Sequence, residues 1–517
     1  MKSKINIGGK VLIGAVVLAS FATSAFAQST ATTGGTQIKN KASATYTDDP
    51  LAPLKYATTS NEVITTVAYV AGLSITPDQT VPASGAPTPA PGSTATFTFD
   101  VNNLSNFSNN VSFLANGGSV TVSGPGTVSA AFIDVNGNGT FDSGTDVDIK
   151  DATADNYLLT QSGTGSTVKV VVTVLVGTTA IAGAALTVSL GDTTTGTGFD
   201  NQAKDATANN VATSAPSGIT ITGTEKEAKG SVVLNVSSVP MVQNGPSGQP
   251  AATGPGVAPA NTNTDYTNKA VDPAAPTTPT VFDNTLKNTG NGPETFTIKP
   301  ATGAGTYPAG STVEISTNGG LTYTTVVLSG APTATPSVTT PSVAAGGTLD
   351  YKVRVTLPTG VVTETGYDTI LTVASVMDPL VSNNTIDRLF PGYLKLNKTA
   401  VVVNGTGVGA ATDPVPGADI QYTVTATNVS DAPTGSGSVD LPAQLVVITE
   451  DGDAGTNNWA GTTNYVAGET ANNDGTTVVP TVGVSTGAVA SSKYIAVIGT
   501  LNGGKVGTLA FTRKIKP

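Results

Sequence analysis

The 517-residue chain has no cysteine, no histidine and a single tryptophan, with 11% charged and 5% aromatic residues. Each shortage removes some chemistry. Without cysteine no disulfide can form, so stability must come from burial and hydrogen bonding. Without histidine there is no Ser-His-Asp triad, and without cysteine there is no thiol nucleophile. Zinc and iron sites lose their usual ligands for the same reason. Paired carboxylates are the one catalytic design left open. Only eight glutamates are scattered along the chain, and Trp459 alone could serve as a tryptophan platform for a sugar. No catalytic residue is assigned, and the expectation is a non-enzyme. Past the N-terminus no stretch approaches the roughly 20 apolar residues of a membrane helix. Basic residues are in the minority, at 24 Lys and Arg against 35 Asp and Glu. That balance gives no electrostatic case for binding nucleic acid or anionic lipid.

The N-terminus carries the pattern of an export signal. Lys2, Lys4 and Lys10 precede the short apolar run "VLIGAVVLA", and "AFA" ends at Ala27. Small residues at Ala25 and Ala27 predict cleavage after Ala27, so 1–27 reads as a signal peptide. Loss of those three lysines takes the formal charge from −11 to −14. The mature chain is expected outside the cytoplasm, with no transmembrane helix.

What is present is rich in Thr, Val, Gly, Ala, Asn and Pro, the vocabulary of strands and of the turns between them. "TVKVVVTVLV" places Val168, Val170, Val172, Val174 and Val176 on one face. "YTVTAT" sets Tyr422, Val424 and Ala426 opposite Thr423, Thr425 and Thr427. No window beyond the signal sustains a helical period. The chain reads as all-β.

Internal repetition organises it. "PGSTATFTFDVNN" (91–103) and "PGADIQYTVTATN" (416–428) align without a gap, ending at Asn103 and Asn428. "GGTLDYKVRVTL" (346–357) repeats the strand pattern without the Asn, and "VFDNTLKNTGNGPETFTI" (281–298) keeps it as Asn288. Related openings precede them: "AGLSITP", "KGSVVLNV" and "PGYLKLNK". Pro-rich stretches fall after each opening and read as loops within a repeat. The expected division is an N-terminal strand pair over 28–70 and sandwich-sized repeats over 71–228, 229–390 and 391–517. The second would carry a Pro-rich insertion at 239–280.

These motifs, with "NKASATYTDD", "SNEVITTV" and "GYLKLNK", resemble the repeat modules of bacterial cell-surface proteins of the Deinococcus and cyanobacterial envelope type. The resemblance implies tandem immunoglobulin-like β-sandwiches in an exported structural protein of the cell envelope or surface layer. It brings no catalytic residues. Expected partners are other envelope or surface-layer proteins, the chain itself, or a surface glycan. The alternative is an adhesin or fimbrial-type surface binding protein, which would need an aromatic-rich loop. Only "NNWAGTTNY" (457–465), with Trp459 and Tyr465, offers one; a Trp plugging the end of a sandwich fits the same residues.

"FIDVNGNGTFDSGTDVDI" (132–149) is the candidate metal site. Calcium takes six to eight hard oxygens, and Asp134, Asn136 and Asn138 fall at positions one, three and five of a calcium loop. Gly139 stands at six, the Thr140 carbonyl at seven and Asp142 at nine. The bidentate acid of position twelve is replaced by Thr145, with Asp146 one residue on. An Asn-Gly turn without metal accounts for the same spacing. "EDGDAGTNN" (450–458) is a weaker match through Asp451 and Asp453. Lys395, Lys398 and Asn428 are candidates for an isopeptide bond in place of the missing disulfides; the simpler reading is solvent-facing lysines and a turn Asn.

Overall fold

A computed structural model describes residues 31–46, 56–161, 166–193, 200–206, 210–253, 265–272, 274–275, 277–300, 307–326, 337–361, 364, 366–430, 436–485 and 490–517. The signal segment 1–27 lies outside the described residues. The fold is all-β. Among the described residues the only helical elements are the turn Trp459–Thr462 and the 3-10 turn Ala115–Gly117. None is long and apolar enough to cross a membrane.

Contacts divide the chain into two units. One ends at Val236; the other runs from Ser237 and also takes 181–183. The first unit opens with a two-stranded ribbon. Gln37–Asn40 pairs with Val63–Thr66, and Ser43–Tyr46 pairs with Tyr56–Thr59. A sandwich follows. Its main sheet has the order Val147–Asp148, Gly126–Asp134, Thr167–Val176, Thr94–Asn103, Leu73–Thr76. The alternating valines 168–176 meet Ala95, Phe97, Phe99 and Val101 in one apolar cluster, because successive side chains point to opposite faces of a strand.

The second unit holds two further hydrophobic clusters, each between its own pair of sheets. The main sheet of the second sandwich runs Val242–Pro246, Thr280–Asn288, Thr348–Thr356, Thr312–Ser316, Thr324–Val326. The third runs Leu394–Val403, Asp419–Asn428, Val506–Ile515, Thr463–Asn473, Thr476–Val478. Read from the opening strand, the three main sheets share one order. An opening strand flanks the Asn-terminated strand, which flanks a long late strand.

Three expectations are corrected here. "KGSVVLNV" does not open the second sandwich: Gly230–Asn235 pairs along its whole length with Ala185–Leu190. The unit boundary therefore falls after Val236 rather than at 228, and Val242–Pro246 is the opening strand. The 239–280 stretch is not simply a loop, since it contains that strand and Tyr266–Ala270. Pro246 is tolerated because its strand lies at a sheet edge. "GGTLDYKVRVTL" is not a copy of the Asn-terminated strand but its neighbour, Thr348–Thr356. Both strands alternate around one core, so their patterns coincide.

The repeated asparagine explains how the sheets are tied. Asn103, Asn288 and Asn428 are all buried. The Asn428 amide nitrogen donates to the carbonyls of Leu501 at 2.8 Å and Leu441 at 3.0 Å, while its oxygen accepts from Ser430 N. Asn288 donates to Val343 O and Gly292 O and accepts from Gly290 N. Asn103 donates to Phe107 O, Leu159 O and Thr160 O and accepts from Ser105 N. Leu159 and Leu501 belong to strands of the facing sheets. One side chain thus turns the chain out of one sheet and satisfies a carbonyl across the interior. It is a structural clasp.

Asn428→Ala leaves two carbonyls without their donor and is expected to cost the third sandwich about 2–4 kcal/mol. Asn103→Ala should act likewise on the first sandwich. Equilibrium denaturation of the full chain reads both, and a loss below about 0.5 kcal/mol would rule out the clasp.

Candidate functional site

The Asp134 loop follows the strand Gly126–Asp134, whose last residue is 2% exposed. Gly137 and Gly139 both adopt φ of +76°, which glycine takes without a Cβ penalty. That backbone turns amide hydrogens inward. Asp134 Oδ1 accepts from Gly137 N at 2.8 Å and Asn138 N at 3.1 Å, and Oδ2 from Gly139 N at 2.8 Å. Asp146 closes the other side, accepting from Val135 N and Asp142 N. The Asn136 and Asn138 amide nitrogens reach Asp142 Oδ2 at 2.7 and 2.6 Å. These two hydrogen bonds hold the Asp142 carboxyl below the usual carboxylate range. Thr140 N donates to Asn138 Oδ1.

All six proposed ligands therefore share one loop, which is closed by its own hydrogen bonds. Calcium needs oxygens, whereas nitrogens of Asn136 and Asn138 now face Asp142. Among the described residues no group of three or more carboxylates is placed to hold a metal ion. The residue types fit the ion, provided both amides present oxygen instead. Phe141 packs edge-on against Phe132 at 5.4 Å. A hollow of about 220 Å³ beside them, flanked by Asp148 and Lys150, falls below the roughly 300–1,000 Å³ of ligand clefts.

The weaker acidic stretch is engaged otherwise. Asp451 accepts from Asp453 N and pairs with Lys493 at 3.5 Å. The isopeptide candidates do not meet. Asn428 serves the clasp, while Lys398 is ion-paired to Glu450 at 2.7 Å. In register, Lys395 lies opposite Thr427.

Trp459 is 6% exposed and belongs to the core. Its ring packs on Phe511 and Tyr494, the buried Arg513 guanidinium lies 4.7 Å from it, and its indole N–H donates to Glu450. Arg513 in turn donates to Ser491 O and to Thr463 through both its hydroxyl and its carbonyl. This network plugs the end of the third sandwich. Tyr465 is partly exposed and donates to Glu469.

Sequence reading missed a polar interior in the second sandwich. Asp265 and Asp387 are 0% exposed, together with Asn244 and Asn284. Asn284 Nδ2 donates to Asp387 Oδ2 at 2.9 Å, Thr385 Oγ1 to Asp265 Oδ2 at 2.6 Å, and Tyr351 Oη to Asn244 Oδ1 at 2.9 Å. Lys269 Nζ donates to Val281 O. Burial pushes the Asp387 carboxyl up to about 8, against the Asn284 hydrogen bond and the Lys269 charge. Burial likewise pushes Asp265 up to about 7. A signal was available: in "SNNTIDRLF" the alternation sets Asn383, Thr385 and Asp387 on the same side as Leu389. Both carboxyls are sealed from solvent, so they cannot act as a sugar-cleaving pair.

No family model matches the chain, and no curated protein sequence does. Among solved structures, the AgI/II polypeptide BspA C-terminal domain of Streptococcus agalactiae is 9% identical, covers 54% of this chain and 92% of its own, and has a TM-score of 0.26. The CupB6 tip adhesin from Pseudomonas aeruginosa is 11% identical over 62% of this chain and 98% of its own, with a TM-score of 0.20. The secreted serine protease VesC from Vibrio cholerae is 10% identical over 79% and 93%, with a TM-score of 0.18. Likenesses this weak say nothing about what the chain does. The absence of histidine independently excludes a Ser-His-Asp protease.

The buried acids carry a pH dependence. Unfolded, both carboxyls titrate near 3.9; folded, they hold their protons to about 7 and about 8. Between those limits the native state binds the extra protons, so stability falls as pH rises from about 4 to about 8. Asp387→Asn, which can still accept from Asn284, should flatten part of that slope and melt above the wild type at pH 8. Thermal melts of the full chain across this range check it; parallel slopes for the two proteins would refute it.

Proposed function

We propose that the chain is a non-enzymatic structural component of the bacterial cell envelope or surface layer, exported and assembled from tandem β-sandwiches. The observation that carries this reading is the thrice-repeated main sheet, in which the one polar residue common to all three repeats is spent on internal bonding. The most perturbed acids are also buried inside a sandwich, where they serve the framework. The acidic balance favours partners reached through divalent cations or neutral contacts. For the adhesin alternative, Trp459 is a core residue and Tyr465 is the exposed aromatic of that loop.

Within this role calcium stiffens the first sandwich. Asp134, Asn136, Asn138, the Thr140 carbonyl, Asp142 and Asp146 would hold it, and its charge would relieve the repulsion among the three acids. Partners are other envelope proteins, further copies of the chain or a surface glycan.

Fractionation of the producing cell should place the protein in the envelope, in an ordered array by electron microscopy. A freely diffusing periplasmic pool would contradict the role. Calcium titrated into the full chain should raise the melting temperature of one transition, by the equivalent of about 2.7 kcal/mol at a hundredfold excess over Kd. Asp142→Ala should remove the response while the fold persists. Absence of both calorimetric heat and thermal shift at millimolar calcium would leave the stretch as a turn.

A further inference from the structure

The third sandwich lacks a piece that the other two possess. In the second, the hairpin Tyr367–Ser375 and Ser382–Phe390 pairs with Phe296–Pro300 and extends the facing sheet. In the first, Ala212–Ser214 pairs with Asn109–Phe113 at the same place. The corresponding strand of the third sandwich is Ala443–Asp451. Among the described residues it pairs with Lys493–Leu501 alone, leaving its other edge bare.

The opening strands show the same gap from inside. Leu73, Val242 and Leu394 each stand opposite the clasp asparagine, and are 0%, 4% and 36% exposed. Two residues on, Ile75 and Asn244 are 0% exposed, whereas Leu396 is 61% exposed. A core-facing leucine stands in water because no hairpin covers it.

The first unit also carries a hairpin that is left uncovered among the described residues. Every residue of the ribbon strands is exposed, including Ile38, Tyr46, Tyr56, Val63 and Ile64. Its base is fastened to the first sandwich: Asn106 donates to Ala68 O and Thr32 O, and accepts from Val70 N. The arms, 37–46 and 56–66, each carry two four-residue strands, eight paired residues against the nine of each strand in the second sandwich's hairpin. An isolated two-stranded ribbon is marginal in water, and an unpaired strand edge accepts a strand from another chain.

We propose that the N-terminal ribbon of a second copy of this chain completes the third sandwich, pairing one arm with the bare edge of Ala443–Asp451 and covering Leu394 and Leu396. The ribbon lies in the first unit and the bare edge in the second, so a chain carrying both cysteines below tells donation by another copy from closure on itself. The ribbon arms and the two receiving strands approach the roughly 20–30 residues a side of a standard interface. Donor and acceptor patches differ, so the contact is heterologous and propagates head to tail into a filament or a closed ring.

This deepens the proposed envelope role but stands separately, because a chain that stays on the envelope as a monomer keeps the role and loses the contact. The absence of cysteine makes the test clean. Full-length Ile64→Cys and Val447→Cys proteins are mixed under oxidising conditions. Disulfide-linked dimers containing one of each should predominate over like-with-like dimers. In sedimentation, the wild type should show concentration-dependent larger species. Ile38→Asp combined with Ile64→Asp should lose them while its circular dichroism is unchanged. A monomeric wild type at every concentration overturns the proposal, as does undiminished assembly by the aspartate variant. A chain bearing both cysteines that closes only on itself overturns it as well.

Discussion

The clasp asparagine is the interaction on which the rest of the architecture depends. Two sheets facing across an apolar interior attract each other without direction, since burial rewards area and not orientation. Secreted sandwiches can fix that freedom with a disulfide, which this chain cannot form. Here an amide at the end of one strand reaches carbonyls on the far side, while its oxygen holds the turn that leaves the strand. The same geometry recurs in all three sandwiches. With the end of each sheet fixed, the intervening loops are free to differ in length and composition.

The three interiors use different chemistry inside that common frame. The first is built on alternating Val and Phe, with Glu227 and Asn109 also buried. The second buries two carboxylic acids with Asn244 and Asn284, and burial keeps both acids protonated far above their ordinary range. Charged carboxylates there would face a desolvation penalty of several kcal/mol each, so neutrality is part of how this interior packs. The third relies on a cation among aromatic rings, with Arg513 beside Trp459 and its guanidinium donating to Thr463, Ser491 and Tyr494. Among the described residues, Oδ1 of Asp265, Asp387 and Asn284 in the second interior is left without a hydrogen-bond partner.

These interiors also differ in completeness, and that links packing to the proposed role. Among the described residues, the first two sandwiches flank the strand after the clasp on both sides, whereas the third flanks Ala443–Asp451 on one side only and leaves Leu396 uncovered. The N-terminal ribbon supplies the complementary irregularity. A protein whose chemistry-bearing residues serve internal bonding, and whose imperfections pair with each other, has the physical makings of an assembly unit.

Sequence alone determined the strand content, the core-facing valines, the three asparagine-terminated strands and the exclusion of thiol and imidazole chemistry. Each follows from composition or a two-residue period, which are local properties. It also placed together every member of the Asp134 loop, because those residues are close in sequence. Tertiary structure decided the rest. It assigned Gly230–Asn235 to the first sandwich and Thr348–Thr356 to a neighbouring role, since two strands around one core alternate alike and only pairing tells them apart. It seated Trp459 in a core, one of the two places the sequence allowed, and it brought Asp265 beside Thr385 and Asn284 beside Asp387 across more than a hundred residues. Burial and partnership between distant strands are set by which edges meet, and no local pattern of residues encodes that meeting.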